Sequence, residues 1–130
     1  MAAETILVAD DEETVRSFIR HTLTREGFQL LEAVDGVDAL RQVAEHGTPI
    51  DLLLTDIRMP RMDGIALARS VAQAYPHTPI IYISGYAFDV EEERGDPSRP
   101  CAFLSKPFTR QALLEVVQKC LAPRQSAAGG

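Results

Sequence analysis

Short apolar runs alternate along the chain with stretches in which apolar residues recur every three or four positions. Thr5-Ile6-Leu7-Val8-Ala9 is a strand-length run that stops on Asp10-Asp11. Residues 12–26 then place Val15, Phe18, Ile19, Thr22 and Leu23 on one helical face, and Gly27 ends that helix. Phe28–Ala33 reads as a second strand, less wholly apolar and therefore at a sheet edge. Asp35 caps a helix with Val37, Leu40, Val43 and Ala44 inward, and His46-Gly47 close it. Leu52–Thr55 is an unbroken apolar strand that ends on Asp56, a pattern suited to burial on both faces. Asp63 caps the next helix, which stops before Pro76. Pro79–Ile83, closed by Ser84-Gly85, and Cys101–Ser105, closed by Lys106-Pro107, complete five strands. Thr109 caps a last helix with Leu113, Val116, Val117, Cys120 and Leu121 inward. Residues 122–130 carry no period and are expected to be a disordered tail.

Strands that alternate with helices predict an α/β domain over residues 5–121, a parallel sheet covered on both sides. All strands of such a sheet end at one edge, where open sheets place their ligands. Asp10 and Asp11, Asp56, Ser84 and Lys106 therefore converge from four separate strand ends. Each has a plain explanation when taken alone: an acidic helix cap, a turn serine, a solvated lysine. All of those explanations must hold together to account for the pattern. Two carboxylates about 4 Å apart repel by roughly 4 kcal/mol at an effective dielectric near 20. Three of them with one ammonium group call for a hard divalent cation with oxygen ligands, which describes Mg²⁺.

The remaining composition narrows the classes. A length of 130 residues fits one domain, and a hydrophobic content of 45% supports an ordinary core. A net charge of -6 argues against nucleic acid as a partner. No apolar stretch is long enough for a membrane span, and Met1–Thr5 lacks the features of a signal peptide, so a soluble cytoplasmic chain is expected. Cys101 and Cys120 lack metal-ligand spacing and read as reduced packing residues. His21, His46 and His77 lie in polar surroundings and read as surface residues, which disfavours Zn²⁺.

The stretch Leu52-Leu53-Leu54-Thr55-Asp56-Ile57-Arg58-Met59-Pro60-Arg61-Met62-Asp63-Gly64 resembles the phosphoacceptor segment of response-regulator receiver domains of two-component signalling. The likeness extends over residues 5–121. It implies a doubly wound, five-stranded parallel sheet of flavodoxin-like order 2-1-3-4-5. It implies that Asp56 takes a phosphoryl group from a sensor histidine kinase or a histidine phosphotransfer protein. Asp11, Asp56 and the backbone carbonyl of Arg58 would bind Mg²⁺, with Asp10 acting through water. Ser84 and Lys106 would contact the transferred group, and Phe103 matches an aromatic switch position. The Lys106-Pro107 bond is expected to be cis. Arg58 and Tyr86 match positions that flank the path of attacking water. The runs Leu52–Arg69, Ser84-Gly85-Tyr86 and Phe103–Phe108 are similar to stand-alone receivers of the CpdR type, which govern regulated proteolysis, and to receivers at the end of hybrid kinases.

Two other functions share parts of this pattern. A dehalogenase-like phosphatase needs a second aspartate two residues after the first, where Arg58 stands. A flavodoxin-type cofactor binder needs a phosphate-cradling loop after the first strand, where Asp10-Asp11 would repel phosphate. The expected function is thus a phosphorylation switch rather than an enzyme, working as a monomer or weak dimer. Nine residues follow Leu121, so it is expected to act through its own surface or as a module of something larger. The family's fourth helix would fall in 87–99. Gly95 and Pro97 predict that it is short or irregular, ending near Arg94.

Overall fold

The computed structural model describes residues 3–85 and 100–129, the last helix by its backbone alone beyond Leu121. Strands β1 (Thr5–Ala9), β2 (Gln29–Ala33), β3 (Leu52–Asp56), β4 (Ile80–Ser84) and β5 (Ala102–Ser105) form one parallel sheet in the order β2-β1-β3-β4-β5. Helices α1 (Glu13–Arg25), α2 (Gly36–His46), α3 (Gly64–Ala74) and α4 (Arg110–Gly129) cover it. Alternation along the strands divides the core in two. Ile6, Val8, Leu52, Leu54, Ile81 and Ile83 face α1 and α4; Leu7, Leu53, Ile80 and Tyr82 face α2 and α3. All five positions of β1, β3 and β4 are buried, whereas β2 is partly exposed, as its mixed composition and edge position require.

The helix signals act as the sequence implies. Asp35, Asp63 and Thr109 each accept a backbone N–H bond three residues on, from Asp38, Ala66 and Ala112, at 2.8, 2.9 and 3.0 Å. Gly47 takes the left-handed conformation at the end of α2, with φ +78°. Three details differ from the sequence reading. The buried stripe of α2 is Gly36, Ala39 and Val43, while Val37 is 42% exposed and Ala44 faces solvent. Small residues let α2 approach the sheet and α3 closely, so the larger valine is turned out. Cys101 and Cys120 are joined as a disulfide, with Cα atoms 5.9 Å apart. They are not the reduced residues expected, because the start of β5 packs directly on α4. Helix α4 also continues to Gly129, past the expected end of order at residue 121. The short or irregular helix expected in 87–99, and Tyr86, lie outside the described residues.

Candidate functional site

The sheet register builds the site. Parallel pairing sets Asp56 beside Ile83 and Ser84 beside Ser105, so the ends of β3, β4 and β5 are level. The chain leaves β1 at Asp10, whose N–H donates to Ala33 O at 3.1 Å. Gly64 then brings α3 against the end of β3. A Cβ at Gly64 would stand 2.0 Å from the carbonyl oxygen of Asp56, so only glycine permits this approach.

Carboxylate oxygens of Asp10, Asp11 and Asp56 lie within 4.8 Å of one another. Asp10 is fully buried, Asp56 nearly so, and Asp11 is exposed. The Lys106 ammonium group sits among them, with Nζ 3.3 Å from Asp56 Oδ2 and 3.4 Å from Asp10 Oδ2. It also donates to Glu12 Oε1 at 2.8 Å. Backbone N–H of Lys106 donates to Ser84 O at 2.8 Å, and the Lys106–Pro107 bond is cis. Burial pushes the Asp10 carboxyl up from 3.8 to about 6, against the Glu12 N–H bond that favours its charge. Neighbouring Asp56 raises it further. Burial also raises Asp56, while Lys106 opposes that shift. Burial works to discharge Lys106, but its bond to Glu12 and the fields of Asp10 and Asp56 prevail and hold it well above its ordinary value.

This donor set fits Mg²⁺. The oxygens are hard, they converge, and no histidine or cysteine stands among them. Buried Asp10 Oδ2 accepts no hydrogen bond among the described residues beyond its 3.4 Å ion pair with Lys106. A cation would supply that oxygen with the partner that burial demands.

Ser84 is buried at the end of β4, on the site's edge of the sheet. Phe103 is placed differently. Strand alternation turns it toward α2 and α3, where its ring lies 5.8 Å from that of Tyr82. Arg58 is exposed and lines the mouth. A cavity of about 750 Å³ opens here, lined by Asp11, Asp56 and Lys106 and also by the apolar side chains of Val15, Phe18 and Phe108. Phe18 and Phe108 meet edge to face with centroids 5.8 Å apart.

Sequence reasoning missed three contributors. Glu12 anchors Lys106 from outside the cluster, and the unbroken acidic run Asp10-Asp11-Glu12 was its signal. Arg16, one helical turn further, donates to the Asp10 carbonyl at 2.6 Å. Asp35, two residues after β2, read as a cap alone; its second oxygen accepts from Arg61 at 2.7 Å.

The family described as response regulator receiver domain matches residues 6–118. The chain is 36% identical over 116 residues to the response regulator receiver protein CpdR of Brucella abortus, covering 89% of this chain and 95% of that one. It is 34% identical over 117 residues to the sensor kinase CckA of the same organism, covering 90% of this chain and only 12% of the kinase. A solved receiver protein from Sinorhizobium medicae superposes with a TM-score of 0.81 at 36% identity, over 94% of this chain and 97% of that one.

Proposed function

This chain belongs to the response regulator receiver family, and from that premise we propose that it is a phosphorylation-dependent switch whose phosphoacceptor is Asp56. The observation that carries the reading is the shared cation: one ammonium group lies 3.3 Å from Asp56 and 3.4 Å from Asp10 at the level ends of three strands. That arrangement neutralises charge where a phosphoryl group would arrive.

A carboxylate oxygen of Asp56 attacks the phosphorus of a phosphohistidine. The new O–P bond forms as the N–P bond breaks, and the electron pair returns to the imidazole nitrogen. Chemistry of this kind is mostly positioning and charge neutralisation. Asp10, Asp11, Asp56 and the Arg58 carbonyl would hold Mg²⁺, Asp10 through water. When bound, the ion neutralises charge on the transferring oxygens. Lys106, held charged by its three acidic neighbours, pairs with the phosphoryl oxygens. Ser84 donates its hydroxyl to the same group. Two charge-assisted bonds of roughly 1.5–3 kcal/mol each approach the about 5.5 kcal/mol that fully reverses a two-state equilibrium. The switch is therefore a partial bias, and Phe103, two strands from Asp56, reports it through its contact with Tyr82.

The donor is a sensor histidine kinase or a histidine phosphotransfer protein. Relatives that carry this domain within a sensor kinase and as a stand-alone regulator both support that partner. The apolar side chains of Val15, Phe18 and Phe108 beside the acidic cluster give such a donor surface to bury. The reading places the protein in the cytoplasm, as a monomer or weak dimer. The test is acetyl phosphate with Mg²⁺ followed by intact mass. The wild type gains the mass of one phosphoryl group and Asp56→Ala gains none; equal uptake by both removes Asp56 from the role.

A further inference from the structure

The segment 57–63 joins Asp56 to α3 and carries Arg58. Its near end is tied to the sheet: Ile57 N–H donates to Ile83 O at 3.2 Å, and Gly64 N–H donates to Ile57 O at 2.9 Å. Its far end rests on a different element, the start of α2. Gly36 N–H donates to Met62 O at 3.1 Å. A Cβ at Gly36 would stand 2.6 Å from that oxygen and 2.7 Å from Met62 Cγ, so loop and helix touch with no room for a side chain. Beside this contact, Arg61 Nε donates to Asp35 Oδ2 at 2.7 Å.

Two features set this ion pair apart from an ordinary surface one, which contributes little. The Asp35 side chain is 5% exposed and both its oxygens are committed, Oδ1 to the cap bond from Asp38 N–H and Oδ2 to Arg61. Arg61 has φ +68°, alone among the described non-glycine residues in the left-handed region. Glycine, asparagine and aspartate favour that conformation, while a long side chain there persists only when its surroundings hold it.

We propose that Asp35 is a positioning residue for the phosphoacceptor loop: by holding Arg61 it fixes the backbone of 57–63 and thereby the Arg58 carbonyl offered to Mg²⁺. This rests on the reading of Asp56 as phosphoacceptor. Asp35 touches neither the transferred group nor the ion. Its effect is to hold a ligand in place, and loss of such outer partners typically weakens metal binding about 10–100-fold.

Asp35→Asn separates the two tasks, because asparagine caps a helix as well as aspartate does but offers Arg61 no charge. Arg61→Asn removes the cation while suiting the left-handed backbone. Mg²⁺ titrations followed by the amide signals of Arg58 and Met59 should show about tenfold weaker binding for each variant. The double variant should be no weaker than either single one, since both break one link. In EDTA, the amides of Met62 and Gly64 should exchange faster in both variants. Phosphorylation by acetyl phosphate should recover at saturating Mg²⁺, because the ligand is displaced and not deleted. Mg²⁺ binding and loop exchange unchanged from wild type, with the wild type phosphorylated normally, would overturn the positioning role and leave the receiver reading standing. A wild type that takes up no phosphoryl group would overturn the reading of Asp56 as phosphoacceptor, and the inference with it.

Discussion

Neutralising Asp10 should make the metal-free protein more stable. Its carboxyl is fully buried and titrates near 6 in the fold, against 3.8 ordinarily. A group so displaced costs the folded state about 3 kcal/mol at pH 7. Lys106 already offsets part of the burial, so this is what remains after pairing. Asp10→Asn keeps an oxygen for the Glu12 N–H bond of 2.8 Å. Its amide nitrogen would replace Oδ2, whose partner is the Lys106 ion pair at 3.4 Å, and a buried unsatisfied donor costs about 1–3 kcal/mol. The net expectation is a gain of up to about 2 kcal/mol, a rise of a few degrees in Tm for a domain of this size. Urea unfolding in EDTA measures it. The sign with pH is fixed. A folded pKa above the unfolded one gives stability that is complete below about 4 and lost as pH rises toward 6. The advantage of the variant should thus be full at pH 7 and gone by pH 4. Added Mg²⁺ should reverse the order, because it stabilises the wild type by mass action. A variant less stable than wild type at pH 7 in EDTA, or equally advantaged at both pH values, refutes the reasoning.

Gly64→Ala should cost about 3 kcal/mol in urea unfolding, since the new methyl meets the Asp56 carbonyl at 2.0 Å and that backbone cannot yield freely. Opening the Cys101–Cys120 bridge, which spans 19 positions, should cost about 3 kcal/mol; alkylation should label no cysteine before reduction and two after it. Arg58→Ala should shorten the half-life of the aspartyl phosphate if the exposed guanidinium shields it from water, and an unchanged half-life removes that role. The bond from Arg61 holds Asp35 below its ordinary value, so its contribution is present above about pH 4 and lost on acidification through its folded pKa. Acid unfolding of Arg61→Asn should therefore begin at higher pH than in wild type.

The layers and the acidic cluster were legible for one reason, while the strand order came from the resemblance to receiver domains. Unbroken runs such as Leu52–Thr55 exclude solvent on both faces, and a parallel sheet covered on both sides satisfies the three of them in β1, β3 and β4. Once the sheet is parallel, the residues that end its strands must meet, so Asp10, Asp56, Ser84 and Lys106 were readable as a group. Residues that act from helices or loops were not. Arg16 reaches the Asp10 carbonyl because α1 packs at a particular angle, and no period in the sequence states that angle.

The sequence by itself determined which segments are strands and helices, which aspartates cap, and which polar groups share one edge of the sheet. Those follow from short-range periodicity and from residues adjacent to strand ends. Tertiary structure alone decided that Val37 turns outward while Gly36 and Ala39 turn in. It alone joined Cys101 to Cys120, faced Phe103 onto Tyr82, and gave the second oxygen of Asp35 to Arg61, 26 positions away. Each depends on how closely two elements approach, and side-chain volumes across a whole interface set that distance, not any local pattern.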